Sequence, residues 1–308
     1  MKREHGVAVI TAILIVAVAA SASTFMLAQQ SAMVDQAMLL ASRAQADHYA
    51  EAGLDWARGV LAEDARRAGN VDHLGEGWAQ PIAALPMERA IVAGAIDDAQ
   101  GKFNLNNLAV EGRSEADYRI FQRLLKELGL PADLADAVMD WIDTDSDLNG
   151  PGGAEDAYYL SLRRPYRAAN QPLAQVDELY RIRGFDAGVV AKLKPHVTAL
   201  PGRKRTPVNI NTASEALLAA IFDGKVARGE IAERLALRRS KPFASANEIA
   251  QFAPRADARV STTDLAVKSD YFVVRVQVAQ DDVTVATEAL VQRGPGGTVT
   301  LVWRRPLY

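Results

Sequence analysis

The chain reads as an α+β fold in which a long N-terminal helix and a small antiparallel sheet carry a large all-helical insertion. Three observations lead there. Val7 to Leu27 holds no charged residue across 21 positions and runs without a proline into a helix-forming stretch lasting to Arg67. Tyr271 to Val291 alternates apolar and polar residues in two runs meeting at Asp281-Asp282, the pattern of a β-hairpin. Between these ends, residues 104–261 show the three- and four-residue apolar spacing of short helices.

The long helix comes first. Met38, Ala41, Gln45, Tyr49, Ala52, Trp56 and Val60 recur at helical steps and form an apolar stripe, with Trp56 assigned to core packing. Gly53 and Gly59 weaken it by up to about 1 kcal/mol each relative to Ala. Gly69-Asn70 supplies a stop. A helix from Val7 to Ala68 would be roughly 90 Å long. Its apolar part is long enough to cross a hydrocarbon core of about 30 Å. Lys2 and Arg3 before it favour a cytoplasmic amino end, with the bulk outside. Three kinds of segment share these features. One is a secretory signal cut near Ala20-Ser21-Ala22, one a plain anchor, and one a leader cut after Gly6 that leaves Val7 as the new amino terminus. A cleaved signal has no reason to merge into so long a helix.

Residues 70–88, with Gly75, Gly77, Pro81 and Pro86, read as loop, and Ile91 to Ile96 as a short strand. At the other end, Tyr271 to Ala279, Val283 to Val291 and Thr298 to Trp303 predict a three-stranded meander, with Ile91 to Ile96 a candidate fourth strand. Helices are expected over Ser114 to Leu128, Ala132 to Ile142, Val176 to Arg183, Ala187 to Leu193, Ala213 to Phe222, Val226 to Arg239 and Ala246 to Phe252. The expected parts are thus a leader (1–6), a membrane and assembly helix (7–28), an α/β domain (29–103 with 262–308) and the helical insertion (104–261).

Composition narrows the function classes. The 308 residues carry a net charge of −3 and no cysteine, so neither disulfides nor thiol chemistry operate. The four histidines are isolated, and no nucleophile elbow, Walker loop or zinc motif occurs. No enzyme is expected. Phe103 to Leu108 (FNLNNL) and Val208 to Ala213 (VNINTA) echo one another, each ahead of a helix. The second, continuing as VNINTASEALLAAI, is similar to the opening of helix-hairpin-helix DNA-binding modules. Residues 201–261 carry a net charge of +5. A membrane-anchored nucleic-acid receptor is therefore the alternative function. Against it, only Gly224 stands where such modules place a Gly-x-Gly phosphate grip. The simpler expectation is that Asn211 or Thr212 caps a structural helix and Asn209 satisfies a turn.

The strongest chemical signal is acidic. Asp140, Asp143, Asp145, Asp147, Glu155 and Asp156 lie within 17 residues, with Gly150, Gly152 and Gly153 among them and no Lys or Arg. Carboxylates drawn together at low dielectric repel one another strongly, and a hard cation removes that penalty. Ca²⁺ takes six to eight oxygen ligands at about 2.3–2.6 Å, which alternating Asp residues in a Gly-bearing loop can supply. The loop is not an EF-hand, because Leu148 stands where Gly is required and Ala154 where Glu is required. Asp140 is a doubtful ligand, since it belongs to the preceding helix.

KREHG followed by VAVITAILIV resembles the leader and mature start of type IV pilins and type II secretion pseudopilins. Most of these carry Glu at mature position 5, where this chain has Thr11. That departure, together with DWID, GAEDAYYL and RAANQPL, is similar to the minor pseudopilin K family of the type II secretion system. The resemblance implies a pilin-like fold and cleavage between Gly6 and Val7 by a prepilin peptidase, followed by methylation. It also implies calcium at a loop whose candidate ligands are Asp143, Asp145, Asp147, Glu155 and Asp156. The implied place is the tip of the pseudopilus, anchored in the inner membrane with its bulk in the periplasm. The implied partners are minor pseudopilins I and J, with H a further candidate, the major pseudopilin and the inner-membrane secretion platform. No nucleic acid is expected.

Overall fold

The computed structural model describes residues 4–67, 71–110, 112–248 and 263–307. Helix α1 runs unbroken from Glu4 to Arg67, 64 residues and roughly 96 Å. The proposed stop at Gly69-Asn70 lies outside the described residues. From Val7 to Leu40 the side chains of α1 are exposed on every side, including Ile10, Ile13, Phe25 and Leu27. The helix first meets the rest of the protein at Ser42, whose hydroxyl donates to Asp281 at 2.9 Å.

Beyond α1 comes a five-stranded antiparallel sheet with strands in the order β1 (Ile82–Met87), β2 (Ala90–Asp98), β7 (Tyr271–Gln280), β8 (Val283–Arg293) and β9 (Val299–Leu307). The meander and the fourth strand are present as expected. The stretch read as loop also supplies β1. IAALPM lacks period-two alternation, and Pro86 argues against a ladder strand. Pro is tolerated here because β1 lies at the edge, with β2 its sole partner. β9 forms the opposite edge and contains Pro306.

Helix α1 packs on the sheet across β7 and β8. Its buried face is Ala46, Ala50, Leu54, Ala57 and Leu61, one position away from the stripe read in the sequence. Trp56, assigned to the core, is 54% exposed. Small residues win the buried face because the helix lies close to the sheet. A Cβ on Gly53 would stand 2.9 Å from Val276 Cγ1, so no indole fits on that side.

The remaining elements form a second hydrophobic core. β3 (Phe103–Asn104), α2 (Glu115–Glu127), α3 (Leu134–Ile142), α4 (Asp156–Tyr159), α5 (Ala187–Leu193) and β4 (Val197–Thr198) come first. Then follow β5 (Val208–Asn209), α6 (Glu215–Phe222), α7 (Arg228–Leu237) and β6 (Leu265–Ala266). Of the helix expected over Ala246 to Phe252, only residues 246–248 are described, as a single turn.

The sequence echo is a duplication. β3 pairs in parallel with β4, and β5 in parallel with β6. In the first copy Asn106 Oδ1 accepts from the Leu173 N–H at 2.8 Å, while its Nδ2 donates to the Leu173 carbonyl at 2.9 Å. In the second, Asn211 holds Phe243 in the same way at 2.8 and 3.0 Å. Pro precedes each clasped residue, and the following N–H donates to Glu178 in one copy and Glu248 in the other. Serine caps the first helix of each copy: Ser114 Oγ accepts from Asp117 N, and Ser214 Oγ from Leu217 N. Thus Ser214, not Asn211 or Thr212, caps α6. Asn209 satisfies a turn as expected, accepting from the Asn211 N–H at 3.0 Å.

Candidate metal centre

The two copies differ most between their second helix and their clasped residue. In the second copy four residues, 238–241, separate Leu237 from Pro242. In the first, residues 143–171 fill the same interval and contain the acidic loop. Helix α3 supplies the wall against which this loop folds. Asp136 and Asp140 are spaced along it and are fully or almost fully buried. Asp136 accepts from the Tyr118 hydroxyl and from the Gly152 N–H, and Asp140 Oδ1 accepts from both N–H groups that Asn149 offers, at 3.0 and 2.8 Å. Glycine is required for this docking. A side chain on Gly152 would overlap the Asp133 carbonyl oxygen, and one on Gly153 would overlap Asp140 Oδ2.

With the loop seated, Asp143, Asp145 and Glu155 bring one carboxylate oxygen each within 4.8 Å of one another. Asp140 Oδ2, Asp143 Oδ1 and both oxygens of Glu155 are buried with no hydrogen-bond donor. Asn170 Oδ1 is likewise buried and unmatched, while its amide nitrogen donates to the Asp145 carbonyl at 2.9 Å. Burial drives the Glu155 carboxyl up to about 7, and the charges of Asp140, Asp143 and Asp145 push the same way. Burial also raises Asp143 to about 6, against the hydrogen bond from Asn149, and raises Asp140 as well. Buried anions are ordinarily paired or bound to metal. Here the oxygens converge without a donor, which is the environment a hard cation requires. Converging carboxylate oxygens are the kind of donor that calcium takes.

Of the five residues singled out as ligands, the structure therefore gathers Asp143, Asp145 and Glu155. Asp147 is exposed, and its N–H donates to Asp145 Oδ1 at 2.9 Å. Asp156 faces away from the trio, paired with Arg167 at 2.6 Å and accepting from the Ala168 N–H at 3.0 Å. Asp140 lies outside this converging trio, although its Oδ2 is buried without a donor and its charge acts on Glu155. Tyr159 is fully buried, edge-on to Trp141 and stacked with Tyr166.

Asp64, Asp72 and Glu76 form a second acidic trio, but the protein itself answers their charge. Buried Arg293 donates to Asp64 at 2.9 Å and to Asp72 at 2.5 Å, and Glu76 accepts from the His73 N–H and the Trp78 indole.

At the amino end, Gly6 lies within α1, and the Val7 carbonyl accepts from the Thr11 hydroxyl at 2.7 Å. Val7 to Arg67 is long and apolar enough to cross a membrane.

Two family models described as type II secretion system, protein K, match residues 101–202 and 208–275, one on each copy of the duplicated unit. The chain is 34% identical to type II secretion system protein K of Pseudomonas aeruginosa over 98% of its own length and 92% of that protein's. It is 32% identical to the protein of the same name from Aeromonas hydrophila, over 98% and 97% of the two lengths. A solved structure similar to this one is described as the GspK-GspI-GspJ complex from the enterotoxigenic Escherichia coli type 2 secretion system. The TM-score is 0.75 at 30% identity, covering 86% of this chain and 97% of that one. A matching α+β fold and relatives aligned over nearly their whole length make the conclusion direct: the chain belongs to the protein K family of the type II secretion system.

Proposed function

We propose that this protein is the minor pseudopilin at the tip of a type II secretion pseudopilus, assembled with the I and J pseudopilins and stabilised by calcium. The observation that carries the reading is the geometry of α1. Val7 to Leu27 presents bare apolar surface in all directions, while Ala46 to Leu61 is built into a folded head. Such a helix needs a bilayer at one time and like helices at another, which is the life of a pilin subunit. Thr11 supports the tip position: it is uncharged and its hydroxyl donates to its own helix, so it offers no carboxylate to a neighbour's amino terminus. A solved relative in complex with I and J supports the choice of partners.

Asp143, Asp145 and Glu155, with Asp140 behind them, would hold the calcium ion. Its contribution would be charge neutralisation, drawing the loop onto α3. The loop offers no general base poised beside an open coordination position, so the role is structural.

The deciding experiment is co-expression of the full chain with the I and J subunits of its own system, followed by purification and electron microscopy of assembled fibres with this chain labelled. A stable complex and label confined to one fibre end are expected. Label along the shaft, or long fibres formed by this chain alone, would overturn the tip assignment. Intact mass of the membrane-extracted protein tests processing. An amino terminus at methylated Val7 is expected, whereas cleavage near Ala22 would contradict the leader reading.

A further inference from the structure

Past the acidic loop the chain carries a charge that the fold does not answer. Residues 157–185 contain five arginines, no lysine and two acids. The turn from Tyr159 to Tyr166 is closed by the Tyr166 N–H on the Tyr159 carbonyl at 3.5 Å and by the stacking of the same two rings, which puts Arg163 and Arg164 at its tip. The Tyr166 hydroxyl donates to the Arg181 carbonyl at 2.7 Å, and the Arg183 guanidinium lies over the Tyr158 ring at 5.2 Å. These contacts gather the five arginines, all exposed, around an aromatic cluster anchored on buried Tyr159. Tyr158, Tyr166 and Tyr180 are exposed among them. The acids in and beside this stretch are engaged. Asp156 pairs with Arg167 at 2.6 Å, and Asp177 pairs with Lys194 and Arg305 at 2.6 and 2.7 Å. Glu178 accepts from the Ala174 and Gln175 N–H groups, and Asp186 caps α5 by accepting from the Val189 N–H. Among the described residues, the side chains of Arg163, Arg164 and Arg181 have no hydrogen bond or ion pair.

We propose that this surface docks the acidic face of a partner protein, with Arg163, Arg164 and Arg181 taking the partner's carboxylates. Like charges held close together repel, and carboxylates from outside turn that repulsion into attraction. The planar guanidinium offers two parallel N–H donors that match a carboxylate, so arginine gives orientation as well as charge. Composition favours a protein over a lipid surface. Arg and Tyr are enriched at protein interfaces and Lys is depleted, which is the make-up of this patch. An anionic bilayer is attracted by Lys as well as by Arg, and this stretch has no Lys. The patch is also held in shape before any partner arrives. Stacking of Tyr159 on Tyr166, the Tyr166–Arg181 hydrogen bond and Pro165 at the turn fix its backbone, so little order is lost on docking. Neither closure of the fold nor the metal-facing trio accounts for the arginines of the turn. The second copy closes with residues 238–241 where the first has 143–171, and the trio ends at Glu155.

The docking surface stands apart from the tip assignment, and its test needs no other subunit. The full chain, purified in a neutral detergent, is titrated against a fluorescent decaglutamate peptide at low salt, with decaglutamine and a short polyphosphate of equal charge as comparison probes. Binding of decaglutamate, and not of decaglutamine, is expected. The triple variant Arg163→Ala, Arg164→Ala, Arg181→Ala should weaken it about tenfold with an unchanged melting temperature. Arg164→Glu, a single change at the tip of the turn, should weaken it in the same direction. Lysine at the same three positions should restore only part of the affinity, because a point charge cannot match a carboxylate on two sides. Removing three exposed cations elsewhere, by Arg203→Ala, Lys204→Ala and Arg304→Ala, should leave binding within about twofold. An equal loss in that control would reduce the effect to net charge and overturn the proposal. Tighter binding of polyphosphate than of decaglutamate, lost in the first triple variant, would assign the surface to phosphates such as those of a lipid and overturn it as well. So would a wild-type chain that binds neither anion.

Discussion

Asn211 grips Phe243 by both of that residue's backbone polar groups, from 32 positions away, with no other part of its side chain in use. The clasp is fully buried and holds the second copy's third segment against its first. Asn211→Ala orphans a donor and an acceptor together. At ~1–3 kcal/mol for each unsatisfied buried group, the loss should be about 2–6 kcal/mol. Asn106→Ala should cost a similar amount through Leu173. Urea unfolding of the head, from residue 28 onward, measures both, and a loss below 1 kcal/mol on the ~0.5–1.5 scale of an ordinary exchanged hydrogen bond would refute the clasp's importance.

Arg293 is shared unequally by two acids, and pH should separate them. Burial, then the charges of Glu76 and Asp72, lift Asp64 from its ordinary 3.8 to about 6, against the pull of Arg293. An acid with a raised folded-state pKa stabilises the fold least when ionised: between about 4 and 6 the unfolded chain loses the proton first, so stability falls as pH rises. Above about 6 the penalty is complete. Asp64→Asn keeps an acceptor for Arg293 and removes that penalty, so it should gain on the wild type as pH moves from 4.5 to 7.5. Asp72→Asn should be destabilising by about 3–5 kcal/mol, because it leaves a buried guanidinium short of its main partner. Equal losses for both variants at both pH values would show that the acids share Arg293 evenly.

Calcium should raise the melting temperature of the chelator-treated head, by about 2.7 kcal/mol of stability at a free concentration 100 times Kd. Magnesium should substitute poorly, since it demands a tight octahedron and sheds water reluctantly. The double change Asp143→Ala with Glu155→Ala should abolish the shift, and Asp140→Asn should weaken it. Asp147→Ala should leave most of it. Calorimetry with and without chelator decides, and a calcium response that survives the double change would move the site elsewhere.

Gly152→Ala tests how the loop is seated without touching a carboxylate. The added methyl group meets the Asp133 carbonyl, so the loop must lift from α3. Calcium affinity should fall at least tenfold, while the unfolding of the calcium-free head changes little. Unaltered affinity would mean that the trio forms independently of α3.

Much of this was legible in residues alone. The meander followed from strict alternation over Tyr271 to Val291, and the acidic loop from six carboxylates without a cation between them. What stayed hidden has physical reasons. β1 was invisible because an edge strand has no buried face to impose alternation and tolerates Pro86. The buried face of α1 was misplaced by one position because close approach to the sheet selects alanines, which carry little hydrophobic signal, and leaves the indole of Trp56 outside. That Asp140 lies beside Glu155 was not legible, since only the folded-back loop brings Glu155 to the end of α3. The duplication showed only as two Asn-x-Asn motifs, because its other half, Pro172-Leu173 against Pro242-Phe243, is displaced by the long loop in one copy.

That displacement has a consequence for evolvability. The second copy repeats the first without its long loop: the same strand, capped helix, second helix and asparagine clasp, closed by a four-residue link where the first carries 29. The polypeptide thus contains its own proof that the scaffold closes without the acidic segment. The acidic segment is thus an addition to one of two like frames, and closing the frame does not depend on it.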